Sequence, residues 1–139
     1  MKRFVLFACF LLTHCCPSLS AQTASQPLDF CDLIAHAAEY DGTTVYVRGL
    51  WRATPHGSLL TGSRCPDTAA SLKQASDYKA DHSASAVLRK LTRKDQFAAV
   101  VVVFRGGFKA ARREQCFSEM CMGYQIETDE LVSAQEPAY

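Results

Sequence analysis

The chain is 139 residues long, with 15 Lys and Arg against 14 Asp and Glu and a formal net charge of +1. Its 48% hydrophobic content excludes an intrinsically disordered chain, and its length fits one compact domain. The near-neutral balance lacks the basic excess that drives phosphate-backbone binding, so nucleic acid is not an expected partner.

Residues 1–20 have the tripartite layout of a secretory signal peptide. Lys2 and Arg3 lead into an apolar run over residues 4–12, and Pro17 precedes the small-residue stretch Ser18-Leu19-Ser20-Ala21. The run is far shorter than the ~20 residues of a membrane-spanning helix. The expectation is an exported, periplasmic or secreted protein, cleaved after Ser20, with no transmembrane segment in the mature chain. Losing 20 of the 139 residues leaves 119. It also takes two of the 15 basic residues, leaving 13 against 14 acids and a formal charge of −1. Leu12-Thr13-His14-Cys15 spaces leucine and cysteine as a lipid-attachment box does, so a form anchored through Cys15 is the alternative. Such a box wants a small residue where His14 stands.

Cleavage also removes Cys9, Cys15 and Cys16, leaving Cys31, Cys65, Cys116 and Cys121. Four cysteines in an oxidising compartment read most simply as two disulfides, with three pairings open. Cys31–Cys65 with Cys116–Cys121 is favoured: the second pair closes a small loop, and the first ties the N-terminal helix to the sheet. Free buried cysteines are the other reading.

Residues 21–27 form a small, polar leader, and the domain is expected over 28–136. Asp29 can cap a helix that carries Phe30, Cys31, Leu33, Ile34, Ala37 and Ala38 on one side, and Asp41-Gly42 ends it. Residues 43–52 alternate as a strand, with Val45, Val47 and Gly49 on one face and Tyr46, Arg48 and Leu50 on the other. A turn at 54–57 predicts a returning strand over 58–63, and residues 68–73 a third. Residues 74–85 read as a polar loop. A helix follows at 84–94, with Ala84, Val87, Leu88 and Leu91 inward. The run at 97–104, FAAVVVVF, predicts a strand buried on both faces that Arg105-Gly106-Gly107 breaks or bends. A last strand begins near Met122.

This order predicts an α+β, mostly antiparallel domain. With a helix between strands three and four it matches the five-stranded barrel of the OB-fold. The segment Tyr40-Asp41-Gly42-Thr43-Thr44-Val45-Tyr46-Val47-Arg48-Gly49, with Cys31 upstream and Cys65 downstream, resembles small uncharacterised bacterial exported proteins. These share a cysteine-bearing helix, Y-x-G-x-x-V-x-V-x-G and a second cysteine after strand two. Val102-Val103-Phe104-Arg105-Gly106-Gly107-Phe108 looks like that group's fourth strand. The resemblance implies an OB-like barrel and no particular activity. Against it, residues 68–73 are poor in large apolar side chains, and Thr128-Asp129-Glu130 predicts a closing strand that is short or bulged.

No catalytic constellation emerges. His56, His82 and Cys65 match no zinc-ligand spacing, and His36 reads as a helical surface residue. A Cys–His nucleophile needs a free thiol, which paired cysteines do not supply. No nucleophile elbow, phosphate loop or dinucleotide fingerprint is present. The chain is therefore expected not to be an enzyme and to need no cofactor and no metal. Arg89, Lys90, Arg93 and Lys94, and separately Lys109, Arg112 and Arg113, read as solvated basic edges. Tyr46, Arg48 and Arg52 form the candidate binding face, and Trp51 falls in the core register. The expected function is an exported binding module whose partner is a protein or a cell-envelope glycan. An inhibitor or immunity-type protein acting on an envelope enzyme or toxin is the alternative, and a small hydrolase is the third reading.

Overall fold

The computed structural model describes residues 26–111 and 122–138. The expected signal peptide, most of the expected leader, Cys15, Cys116, Cys121, Arg112 and Arg113 lie outside the described residues.

The elements run β1 (Leu28–Asp29), α1 (Phe30–Ala35), α2 (Ala37–Tyr40), β2 (Thr44–Thr54), β3 (Gly57–Thr61), β4 (Ala69–Ala80), α3 (His82–Lys94), β5 (Val100–Ala110) and β6 (Tyr124–Gln135). Asp29 caps α1 by accepting the Cys31 N–H at 2.9 Å. The expected single helix is in fact two short ones. At His36 the backbone turns to φ −118° and ψ 29°, and both its N–H and its Nδ1 lie against the Asp32 carbonyl, the latter at 3.0 Å. Phe30 and Leu33 are buried as predicted, whereas Ala38 is exposed. Gly42, at φ 77°, takes the left-handed turn that leads into β2.

All six strands belong to one mixed sheet in the order β1-β2-β3-β4-β6-β5, and β5 returns to pair with β2. Strands β2 to β6 thus close a ring of five, with β1 attached to β2 in parallel. The ring pairs antiparallel except for β4 and β6, which run parallel. A parallel pair needs a crossover connection, here α3 and β5. α3 packs mainly on β6, and Leu88 and Leu91 join the core from it. Inside the ring Val45, Val47, Leu60, Val102, Phe104 and Ile126 pack against Phe30 and Leu33 from α1.

Three further expectations are corrected. Residues 74–80 are not loop but the second half of β4, which pairs with β6 from Ser71↔Gln125 to Gln74↔Thr128 and again at Lys79↔Glu130 and Ala80↔Leu131, with an irregularity between. Their polar composition hid them because most of them are exposed, and β6 pairs with the strand on either side of the irregularity. Phe97 is not in the strand: Asp95 Oδ1 accepts its N–H at 2.9 Å, and it is 57% exposed. Finally, β5 alternates between buried and half-buried positions instead of burying both faces, and it runs on through Gly106-Gly107 to Ala110.

The closing strand is bulged and twelve residues long. Against β5 its register skips at Asp129 and again at Val132. Gly106 sits at the first skip, where a Cβ would come within 2.5 Å of the Glu127 carbonyl oxygen. The two chains approach too closely there for any side chain.

Candidate functional site

On β2 the alternation of the pleat sends Val45 and Val47 into the ring and Tyr46, Arg48 and Arg52 outward. Trp51 is half-buried against the core. The three outward residues share one stripe but border three different grooves. Tyr46 lines a small one of about 260 Å³ with Leu28, Tyr40 and Thr44. Arg48 lines one of about 440 Å³ with Asp29, Leu50, Ser63 and Val101. Arg52 lines one of about 480 Å³ with Leu91, Asp95, Phe97 and Glu136. Pro137 lines both arginine grooves, so these two adjoin and the Tyr46 groove stands apart.

Tyr46 differs electrostatically as well. It faces Arg105 across the β2–β5 pair. Arg105 places Nη2 2.9 Å from Asp129 Oδ2 and Nη1 3.4 Å from Glu130 Oε2. The Asp129 carboxylate first, and the Tyr46 side chain second, raise the Arg105 pKa above its ordinary value. The bulge at Asp129 is what brings this acid under Arg105. Tyr46 therefore sits beside an arginine already paired with two carboxylates, although Asp129 Oδ1 is buried without a hydrogen-bond partner among the described residues. Arg48 and Arg52 make no ion pair among the described residues.

The wall of the Arg48 groove is built by a staple. Cys31 and Cys65 form a disulfide with Cα atoms 5.8 Å apart, joining α1 to the β3–β4 connection. Next to it, Arg64 Nη2 lies 2.8 Å from both Asp29 Oδ1 and Asp32 Oδ1. Those hydrogen bonds, to Asp32 and then Asp29, raise the Arg64 pKa. Gly62 lies under the bridge, where a Cβ would fall on Cys31 Sγ and 2.7 Å from Cys65 Sγ.

Cys65 is thus a disulfide partner, His56 sits in the β2–β3 turn and His82 opens α3. Among the described residues no three His, Cys, Asp or Glu side chains are placed to hold a metal ion, and no helix is long and apolar enough to cross a membrane. On α3, Arg89, Lys90, Arg93 and Lys94 are exposed.

The sequence reading missed Phe97, Glu136 and Pro137 as groove residues. The Asp95 turn two residues before Phe97 was a legible signal, since Asp accepts from the backbone two residues on. The tail carried none. No protein family, curated protein or solved structure matches the chain.

Proposed function

We propose that this is an exported binding module built on an OB-like ring, whose partner is a protein or a cell-envelope glycan. The contact face is the outer side of β2 around Arg48 and Arg52, with Tyr46 at its margin. The closure order supports the OB-like part of this reading: counted within the ring, strand one pairs with two and four, and strand three runs parallel to five. The Cys31–Cys65 disulfide suits an oxidising compartment.

The observation that carries the binding face is the contrast among arginines. Arg64 and Arg105 each reach two carboxylates, whereas Arg48 and Arg52 stand exposed beside open grooves and make no ion pair among the described residues. Two exposed guanidiniums on one strand face present planar, multi-donor forks suited to recognition. Capture from a native envelope extract tests it. The Arg48→Ala/Arg52→Ala variant should lose the partner taken by the parent protein while unfolding at the same temperature. Retention of every partner would overturn this face.

A further inference from the structure

α3 carries four of the chain's 15 basic residues and none of its 14 acids, so the rest of the chain holds 11 against 14. Arg89, Lys90, Arg93 and Lys94 are all exposed, and none of them makes an ion pair among the described residues. At about 100° per residue they fall within an arc of about 140°, in two rows, Arg89 with Arg93 and Lys90 with Lys94. Like charges at that spacing weaken a helix. Arg93 and Lys94 sit in the last turn, where they complement the helix dipole, but Arg89 and Lys90 have no such local reason. The inner side of α3 is already occupied: Ala84 is buried, and Leu88 and Leu91 pack on the core.

Just past the helix an aromatic ring is held out to water. The Asp95 N–H donates to the Leu91 carbonyl at 3.1 Å, and the Asp95 carbonyl accepts from the Ala98 N–H at 3.0 Å. Residues 95–98 thus form a turn built onto the end of α3, and Asp95 Oδ1 fixes the Phe97 N–H within it. Phe97 is 57% exposed, against 37% for Tyr46 and for Val132. Three residues of chain keep it within about 10 Å of Lys94. The nearby acids do not cancel the cations. Asp95 and Glu136 line the Phe97 groove with Arg52, so α3 and this groove together hold five positive charges against two negative. Asp81, at the far cap, lies eight residues before Arg89, about 12 Å along the axis.

The geometry points to the outer face of α3, with Phe97, as a docking site for an anionic phospholipid bilayer. This goes beyond the Arg48 and Arg52 face and does not depend on it. A bilayer fits better than an acidic protein because a convex helix face with cations fanned over it suits a flat field of headgroup charges. Phe97 adds an apolar tip for the boundary between headgroups and acyl chains. α3 lies on that surface without inserting, since its own apolar side is packed in the core.

Co-sedimentation of the mature chain expected from cleavage after Ser20 tests this. The vesicles are phosphatidylglycerol and phosphatidylcholine in equal parts, and phosphatidylcholine alone. The protein should partition onto the anionic vesicles and not onto the neutral ones, and added salt should release it, since exposed charges are screened. Arg89→Gln/Lys90→Gln should weaken partition roughly tenfold or more, at about fivefold for each cation near an anionic surface. Lys73→Gln/Lys79→Gln removes the same charge from exposed positions on β4 and should weaken it by less than about threefold. Phe97→Ser should weaken it several-fold. All three variants should unfold at the parent's temperature. No binding to the anionic vesicles, equal binding to the neutral ones, or an equal loss in the two double variants would overturn the proposal. Unchanged partition of Phe97→Ser would overturn the choice of a bilayer. Polyglutamate bound through Arg89 and Lys90, with no binding to vesicles, would assign the face to an acidic protein and overturn that choice as well. Arg48 and Arg52 stay in place throughout, so none of these results bears on their face.

Discussion

Arg64 and Asp29 lie 35 residues apart in the chain and 2.8 Å apart in the fold. The same Asp29 oxygen caps α1 through the Cys31 N–H, and Cys31 is bonded to Cys65, the neighbour of Arg64. One turn of helix is thus gripped twice by one dipeptide. The covalent link dominates this grip, because the Arg64 side chain is 60% exposed and exposed ion pairs contribute little.

Replacing both Cys31 and Cys65 with serine should therefore cost about 2–4 kcal/mol, as expected for a disulfide closing a loop of this size. Urea unfolding with and without reductant measures it. Reductant should weaken the parent protein by more than it weakens the variant, which keeps Cys116 and Cys121.

Gly62→Ala should destabilise by about 1–3 kcal/mol, the usual cost of overpacking, because its methyl group falls on the bridge sulfurs. A double-mutant cycle isolates the cause. In a Cys31→Ala/Cys65→Ala background the same substitution should cost distinctly less. Simple additivity would show that the bridge is not what Gly62 accommodates.

Gly106 and Gly107 are adjacent yet should respond oppositely. Alanine at 106 meets the Glu127 carbonyl at 2.5 Å and the Thr128 Cα at 2.9 Å, so β6 must shift. A loss of about 1–3 kcal/mol is expected. At 107 nothing lies within 4 Å of the new Cβ, and alanine there should change stability by less than about 0.5 kcal/mol. Thermal unfolding of the two variants side by side decides this.

Asp81 caps α3, accepting from the Ser83 hydroxyl and from the Ala84 N–H at 2.9 Å. The Ser83 hydroxyl first, and the Ala84 N–H second, hold its pKa below the ordinary 3.8. A carboxyl with a lowered pKa in the folded state stabilises above its unfolded pKa and loses that contribution as pH falls through the folded value. The parent should therefore lose thermal stability below about pH 4 more steeply than Asp81→Asn, whose amide oxygen remains an acceptor at every pH. Parallel melting curves between about pH 2 and pH 7 report the difference.

Much of the ring was legible from periodicity. β2 announced itself through Val45, Tyr46 and Val47, and α3 through Ala84, Val87, Leu88 and Leu91, because the spacing of apolar side chains reflects which face is buried. The second half of β4 was not legible. Residues 74–80 are mostly polar and exposed, and their place in a strand follows from β6, which pairs with Gln74, Lys79 and Ala80. Phe97 misled for the converse reason: it looks like strand interior, but the Asp95 turn holds it out to solvent beside Arg52.

What the chain determines by itself is local: the alternation that turns Arg48 and Arg52 outward, the Asp29 and Asp81 caps, the glycine turn at 42, and a cysteine in the first helix. What only the tertiary structure decides is which charges are satisfied. Arg64 and Arg105 differ from Arg48 and Arg52 in no way a sequence displays. The disulfide carries Arg64 to Asp29 and Asp32, and the bulge in β6 carries Asp129 to Arg105. Ion pairing depends on separations of a few ångströms between residues distant in the chain. Ring closure sets those separations, and among the described residues it leaves Arg48 and Arg52 without an ion pair.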